Sequence, residues 1–470
     1  MNEKGARLRS TVASYLGGSL LRRRLFSGSA WAFGGKIVTA MIGIFTNGLL
    51  ARMLSPQEFG AYVLALSIVS VGATIGTLGL SKPVVRYVAE GMGMKRPGHA
   101  RQAIYMVLGL GVLGTLGVSL AYLFVVGNLV EGHIFDSPVP VSVTALIAGW
   151  MALSGVQELM VEPFRGFHDF RMTTLLGGLA IGKSSALVMR VLLLGCVALL
   201  WLKSGETDLK TILLISIGSG AVSALMSGWL LRSKISSLNL QGAENPVSPK
   251  EVLGVSLPIL VTDLTVVILQ GSGMWILGAL SSQAEVAVYG AASRLVAFVA
   301  MPLVMVNLVL PPIIAELYAQ GRTARLERTV RTFTTVAGLP SMLVLVAFIL
   351  EGGPILGLVY GDYYRSAAVV LTLLSAARVV AVWSGSCGLV LQMTNHQASM
   401  LRVSILTSPL FFVAAFLAAP RFGSVGVASA AAVTTCLQNV ILVLIAKKKT
   451  GMWTHVIFSL SPFRRLLSNR

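Results

Sequence analysis

Residues Ala103–Val126 read A-I-Y-M-V-L-G-L-G-V-L-G-T-L-G-V-S-L-A-Y-L-F-V-V, a run of 24 residues without a charged side chain. About 20 consecutive apolar residues are enough for an α-helix to cross the hydrocarbon core of a bilayer. A strand of a membrane barrel would instead alternate apolar and polar residues over about ten positions, and this run does not. The segment therefore predicts a membrane-spanning helix, and Thr329–Leu350 is a second long apolar run of this kind.

The composition shows that such runs fill most of the chain. Of 470 residues, 55% are hydrophobic and 12% are charged, and the mean hydropathy is +0.81, whereas about 25% of a soluble domain is charged. These values exclude an ordinary cytosolic enzyme, a disordered chain and a disulfide-rich secreted domain. We predict an all-α polytopic membrane protein with twelve transmembrane helices, at 29–50, 59–81, 103–127, 139–158, 173–201, 211–231, 253–280, 287–312, 331–350, 367–391, 401–419 and 423–445.

The 37 Lys and Arg residues are distributed unevenly between the predicted loops. With the N-terminus inside, 27 of them lie in cytoplasmic segments, 5 in outer loops and 5 within spans, which agrees with the positive-inside rule. This pattern predicts cytoplasmic N- and C-termini, and it attributes the net charge of +19 to membrane topology rather than to nucleic-acid binding. Two basic clusters, Arg22–Arg24 and Lys447–Lys449, are expected to contact anionic membrane lipid.

A weak internal repeat divides the chain into two halves. Residues 55–62 read S-P-Q-E-F-G-A-Y and residues 282–289 read S-Q-A-E-V-A-V-Y, an offset of 227. Two further pairs recur at nearly the same offset: Pro83 with Pro312, and His168 with His396. Because the offset corresponds to six spans, the halves are expected to be parallel in the membrane, related by an axis along its normal, with a central cavity between them.

The repeat and the loops together predict five segments. They are a basic cytoplasmic or interfacial N-terminal segment at 1–28, a six-helix bundle at 29–231, a cytoplasmic linker at 232–252, a second six-helix bundle at 253–445 and a basic cytoplasmic tail at 446–470.

The sequence contains no catalytic motif. There is no G-x-S-x-G, no phosphate-binding G-x-x-x-x-G-K-[ST] and no H-E-x-x-H. Its three cysteines lie in apolar runs without the spacing of a metal site. We therefore expect a protein that is not an enzyme and that has no cofactor.

The most informative residues are ionisable groups inside the predicted spans. A charge in mid-membrane costs several kcal/mol, so it tends to face a cavity or a partner. The spans hold five basic residues and two acidic ones: Lys36, Lys183, Arg190, Arg294, Arg378, Glu158 and Asp263.

Helical spacing places several of these groups on shared faces. Lys36 and Asn47 are eleven residues apart, or three turns, with Gly43 on the same face. Two more pairs are seven residues apart: Lys183 with Arg190, and Asp263 with Gln270. We interpret these stripes as the lining of a water-filled cationic cavity for an anionic ligand, to which phosphate is the best match. Asp263 and Gln270 are the candidates for binding a coupling ion.

Simpler interpretations remain open for individual residues. Lys36 and Lys183 could extend their ammonium groups to the cytoplasmic surface. Arg294 could anchor the outer interface, and Asp263 could neutralise a neighbouring cation. Glu158 lies near a predicted helix end, where we expect it to be solvated.

Four segments of the chain resemble one transporter family. They are L-L-A-R-M-L-S-P-Q-E-F-G-A-Y (Leu49–Tyr62), F-R-G-F-H-D-F-R (Phe164–Arg171), A-V-Y-G-A-A-S-R-L (Ala287–Leu295) and G-P-I-L-G-L-V-Y-G-D-Y-Y (Gly353–Tyr364). The chain after residue 25 or so is similar to the polysaccharide transporter family, which includes O-antigen flippases, within the multidrug/oligosaccharidyl-lipid/polysaccharide exporter superfamily. The matching motifs contain Arg52 and Arg294. Arg52 is expected either to guard the cavity mouth or to face water.

The resemblance implies a V-shaped fold of two six-helix bundles. It also implies translocation of undecaprenyl-diphosphate-linked oligosaccharide across a bacterial inner membrane by alternating access. The expected partners are the lipid-linked oligosaccharide and membrane lipid, with glycan polymerase or assembly proteins left open, and the chain is expected to act as a monomer. The alternatives are a cation-coupled drug or metabolite antiporter of the same superfamily, and a membrane-embedded glycan polymerase, ligase or scaffold. The cationic interior favours an anionic cargo.

Overall fold

A computed structural model describes residues 20–94, 96–126, 141–177, 186–237, 248–394 and 396–457. The regular secondary structure of these residues is helical, and they contain no strand. Among the described residues, ten helices are long and apolar enough to cross a membrane, and Ile37–Met53 is a shorter apolar helical segment. The prediction of an all-α, multi-pass membrane protein is confirmed.

Nine helices come first along the described part of the chain. They are α1 (Leu20–Met53), α2 (Pro56–Gly76), α3 (Ser81–Gly93), α4 (Pro97–Ala121), α5 (Val141–Gly166), α6 (Phe170–Leu176), α7 (Leu187–Ser204), α8 (Leu209–Ser236) and α9 (Pro249–Leu280). A π-helical turn, Tyr122–Val126, follows α4.

The remaining helices are on average longer. They are α10 (Gln283–Ala319), α11 (Thr323–Tyr360), α12 (Ala368–Ser384), α13 (Cys387–Met393) and α14 (Gln397–Thr450), with a 3-10 turn at Asp362–Ala367. The backbone leaves the helical region at Glu351 in α11 and at Gly423 in α14. Helix α14 therefore holds two of the predicted spans, 401–419 and 423–445, separated by the break at Gly423.

The described residues form two compact units that divide between Ala279 and Leu280. This division lies one helix later than the predicted linker at 232–252, because α9 associates with the helices before it. The indole Nε1 of Trp275 on α9 donates a hydrogen bond to Ser67 Oγ on α2, at 2.8 Å. The backbone of α9 also contacts Gly79, between α2 and α3, and Asp263 of α9 forms an ion pair with Lys82.

Helix α5 runs through the core of the first unit. Buried apolar side chains from α3, α4, α5 and α8 pack together, among them Val84, Ile104, Leu159 and Leu231. Small polar residues on α8, such as Ser223 and Ser227, allow close packing against α5, since helices that lack a hydrophobic driving force in lipid associate through small side chains.

The sequence repeat corresponds to two helix caps. At the start of α2, Ser55 Oγ accepts the Glu58 N–H and the Glu58 carboxylate accepts the Ser55 N–H, which is a complete capping box. At the start of α10, Ser282 Oγ likewise accepts the Glu285 N–H, at 3.3 Å. The recurring Ser and Glu therefore mark the first turn of equivalent helices.

Glu285 has a second role that Glu58 does not share. Its carboxylate accepts the backbone N–H of Ser424 at 2.6 Å, directly after Gly423, whose φ is 52°. A carboxylate at a helix N-terminus satisfies an otherwise unpaired N–H and complements the helix dipole. Glu285 thus caps the second half of α14 and fixes the break in that helix.

An extended strap, residues 451–457, follows α14 and inserts between α11 and α12. The carbonyl of Thr454 accepts a hydrogen bond from Thr334 Oγ1, and Thr454 Oγ1 donates to the carbonyl of Ser384 at 2.8 Å. Two further hydrogen bonds hold the strap. The Val456 N–H donates to the Trp383 carbonyl, and the Arg331 guanidinium donates to the His455 carbonyl. The strap is therefore an integral part of the second unit.

We predict that Thr454→Val lowers the free energy of unfolding by about 1–3 kcal/mol, because it leaves the buried Ser384 carbonyl without its donor. The midpoint of thermal unfolding of the detergent-purified protein measures the effect. Ser429→Ala is the control, because Ser429 is half-buried and its hydroxyl bonds within its own helix, to the Val425 carbonyl. Equal midpoints for both variants would contradict the role of the strap.

Candidate functional site

The predicted cation Arg190 lies against the polar face of α1. Its guanidinium Nη1 donates a hydrogen bond to the carbonyl of Thr39 at 3.2 Å. A Cβ atom at position 43 would overlap the same Nη1 atom. Glycine at position 43 therefore makes room for a guanidinium between α1 and α7.

Asn47 lies one turn beyond Gly43 on this face of α1. It is buried, and its Nδ2 donates to the Gly43 carbonyl. Its Oδ1 atom is buried without a hydrogen-bond partner among the residues that the structure describes. An unpaired buried acceptor is costly, so the Gly43–Asn47 turn is a position where a bound molecule would find an unused hydrogen-bonding group. Together, Arg190, Gly43, Thr39 and Asn47 form what we call the α1–α7 site.

Of the three other predicted cations in this unit, the structure describes the side chain of Arg52. Lys36 lies on α1, but its side chain falls outside the described structure, and Lys183 lies wholly outside the described residues. Arg52 is exposed at the end of α1. Of the four predicted cations in this unit, the structure brings Arg190 onto the polar face of α1.

A tight turn joins α2 to α3 and rests on α9. Leu78 and Gly79 have positive φ values of 52° and 69°, a conformation that glycine adopts readily and leucine does not. A Cβ on Gly79 would overlap the backbone of α9 at the Ser256 carbonyl and the Leu260 nitrogen. Pro258 lies between these two residues, so the turn contacts α9 where proline interrupts the helical hydrogen bonds.

Asp263 forms an ion pair with Lys82, just after this turn. The Lys82 ammonium lies 3.0 Å from Asp263 Oδ1, and the Lys82 side chain is 57% exposed whereas that of Asp263 is 10% exposed. Lys82 had no predicted role, because it falls in the cytoplasmic loop next to span two. Gln270, the predicted companion of Asp263, is exposed on α9.

The expectation for Glu158 is wrong. Instead of being solvated, Glu158 is 2% exposed and accepts a hydrogen bond from Ser81 Oγ at 2.8 Å. The reason is that α5 continues to Gly166, eight residues beyond the predicted end of the span, so Glu158 lies inside the helix bundle. Two adjacent residues therefore each contact a carboxylate on a different helix. Ser81 contacts Glu158 on α5, and Lys82 contacts Asp263 on α9.

The second unit holds the other two predicted cations, on helices that pack together. Arg294 on α10 is half-buried, and its Nε has no hydrogen-bond partner in the described part of the chain. Arg378 on α12 is exposed.

Metal ligands do not cluster in the described residues. No group of three or more His, Cys, Asp or Glu side chains there could hold a metal ion.

The fold is that of known membrane transporters. The chain is similar to the inward-facing structure of a multidrug resistance MATE family transporter of the MOP superfamily, with a TM-score of 0.70 and 14% identity over 88% of this chain and 94% of that one. A MOP superfamily transporter from Pyrococcus furiosus, described by a reversed polarity of its binding pocket that suggests a different function, gives a TM-score of 0.59 and 14% identity over 91% and 95%. A mutant of the Vibrio cholerae MATE transporter VcmN gives 0.61 and 14% over 91% and 96%. These similarities establish the fold.

The family follows from the sequence. A family model described as "Polysaccharide biosynthesis protein" matches residues 25–318, and the chain belongs to this family. No curated protein matches the chain. The expected membership in a polysaccharide family is confirmed, and the chain is a multi-pass membrane protein with the fold of MOP superfamily transporters.

We predict that Gly43→Ala displaces the Arg190 guanidinium from Thr39 and slows transport at least tenfold, with little effect on stability. The Cβ meets only the flexible end of a side chain, and alanine in a helix stabilises it by roughly 0.5–1 kcal/mol relative to glycine. Gly34→Ala on the same helix is the matched control, because nothing lies within 4 Å of its Cβ position. Equal transport rates in both variants would show that the position of Arg190 does not matter.

Proposed function

We propose that the protein is a flippase that translocates polyprenyl-diphosphate-linked oligosaccharide across the bacterial inner membrane by alternating access. The observation that carries this proposal is the Arg190 guanidinium on the polar face of α1, beside the unpaired Oδ1 of Asn47. The polysaccharide biosynthesis family supports the same assignment. We further propose that both termini are cytoplasmic and that one chain is sufficient for transport.

Phosphate is the ligand chemistry that best fits the α1–α7 site. A guanidinium is planar and carries five N–H donors that pair with two phosphate oxygens at once. Arg190 uses Nη1 for Thr39, which leaves the rest of its donor set to be shared between protein and ligand. The Asn47 side chain lies one turn away and adds polar surface that suits a sugar hydroxyl, which donates hydrogen bonds to an amide oxygen.

Arg294 and Arg378 are proposed to bind the same cargo from the second unit. A guanidinium can hold the phosphate or an acidic sugar of the cargo, and the Arg294 Nε is unpaired among the described residues. Lys36, Lys183 and Arg52 stay proposed members of the cationic lining, and Asp263 with Gln270 the proposed site of ion coupling.

A drug or metabolite antiporter is the second candidate, because the similar structures include multidrug MATE transporters. Asp263 is the buried carboxylate that an organic cation would need. Its carboxylate lies 3.0 Å from the Lys82 ammonium. An organic cation would therefore have to displace this ammonium, which belongs to the same chain. The cationic arginines would also repel such a cargo, which makes the antiporter the weaker candidate.

We predict that Arg190→Ala and Arg378→Ala each slow translocation of undecaprenyl-diphosphate-linked oligosaccharide in proteoliposomes by about 10- to 100-fold, the equivalent of a charge-assisted hydrogen bond of roughly 1.5–3 kcal/mol. Insertion and thermal stability should be retained. Arg365→Ala is the control, because Arg365 is exposed and pairs with Asp362 in its own turn. Unchanged translocation in both test variants would remove these arginines from the mechanism.

The antiporter makes a different prediction for the same proteoliposomes. Under our proposal, the wild-type protein does not exchange organic cations for protons or sodium ions. Cation efflux that is abolished by Asp263→Asn but retained in Arg190→Ala would contradict the flippase and establish the antiporter.

A further inference from the structure

The residues that follow the turn between α2 and α3 bond to two other helices of the first unit, α5 and α9. Solvent reaches these two bonds to different extents. On the α5 side, Ser81 Oγ donates to Glu158, which is almost completely buried. On the α9 side, the Lys82 ammonium contacts Asp263 while more than half of the Lys82 side chain is exposed. A water-soluble anion can therefore reach the second bond and not the first.

The α9 side of this connection meets a proline. Pro258 removes one helical hydrogen bond from α9, and Gly79 lies directly on the backbone on either side of it, at Ser256 and Leu260. Leu78 holds a positive φ of 52° that a leucine adopts only when its surroundings impose it. The strained turn therefore packs on α9 beside a position where the helical hydrogen bonds are interrupted.

Lys82 has the properties of a ligand-binding lysine rather than of a buried structural one. The Lys82 half of the ion pair is exposed, so water and dissolved ions reach its ammonium group. A dianionic phosphate is a stronger partner for an ammonium than one carboxylate, because it offers more charge and more acceptor oxygens. When Lys82 leaves Asp263, the ion pair between α9 and the turn is lost.

We propose that Lys82 binds the diphosphate of the cargo in competition with Asp263, and that this exchange releases α9 from the α2–α3 turn. The proposal rests on the proposed function and adds to it a cargo-binding residue and the contact that senses its occupation. The recognised chemistry is a diphosphate, carried either by a polyprenyl lipid or by the free inorganic anion.

Competition predicts that substituting the two partners of the ion pair changes diphosphate binding in opposite directions. Simple structural pairing predicts changes in the same direction. If Asp263 competes with the cargo, removing the Asp263 charge frees Lys82 and tightens diphosphate binding, whereas removing Lys82 weakens it. If the pair only stabilises the fold, both substitutions act in the same direction. Arg86 provides the matched control, since it lies one turn further along α3, is exposed and pairs with Glu90 of the same helix at 2.7 Å.

The test measures binding of undecaprenyl diphosphate to the full-length protein in nanodiscs, together with displacement by inorganic diphosphate and the thermal midpoint of each variant. We expect Lys82→Gln to weaken binding by about tenfold or more and Asp263→Asn to tighten it about two- to fivefold. Lys82→Arg and Arg86→Gln should stay within a factor of about three, which is small beside a lost charge-assisted bond. Hydrogen exchange of α9 near Leu260 should rise when lipid is added to the wild type and should already be high in Asp263→Asn.

The outcomes separate this proposal from the proposed function. If the wild type binds the lipid and Arg190→Ala weakens binding, but Lys82→Gln and Asp263→Asn leave it unchanged or shift it in the same direction, the exchange at Lys82 is overturned and the flippase stands. If inorganic diphosphate binds with the expected dependence on Lys82 while the lipid does not bind, the exchange is supported and the flippase is contradicted. If neither ligand binds the wild type, both proposals fail.

Discussion

A charge buried among these apolar helices needs another polar group as its partner, and this requirement links the helices of the first unit. Removing a charge from water costs several kcal/mol unless a partner compensates. The compensation is local and specific: Arg190 with the Thr39 carbonyl, Lys82 with Asp263, Glu158 with Ser81. None of these contacts joins residues close in sequence, so each one fixes the packing of two helices as well as the state of a charge.

Close approach of backbones is the second constraint, and it explains where glycine is required. At position 43 the missing side chain is replaced by a guanidinium, and at position 79 by the backbone of α9. In both cases the glycine lets a neighbouring group approach closely, and a larger residue at that position would push the group away. The break at Gly423 follows the same logic, because the Glu285 carboxylate occupies the space beside it and caps the helix that follows.

The sequence was sufficient to predict the long helices, since long apolar runs act locally. The recurring Ser and Glu were found as a repeat, and the structure showed that they cap α2 and α10. The sequence was also sufficient to select Arg190 and the polar face of α1, because helical spacing relates Gly43 to Asn47. It did not reveal that Arg190 and that face meet, or that Lys82 reaches Asp263 across 181 residues. The burial of Glu158 was missed because the end of a helix in an apolar run has no sharp signal, and α5 is longer than hydropathy indicated. Residues brought together by the turn at Leu78 and Gly79 depend on a backbone conformation that composition does not encode.

The most direct test of the account is the position of the cargo's phosphorus atoms in an experimental structure of the protein bound to undecaprenyl-diphosphate-linked oligosaccharide. The account predicts diphosphate oxygens within about 2.7–2.9 Å of the Arg190 guanidinium, the distance of a charge-assisted hydrogen bond. A structure in which no phosphate oxygen lies within hydrogen-bonding distance of Arg190, and in which Arg190 still donates to the Thr39 carbonyl, would contradict it.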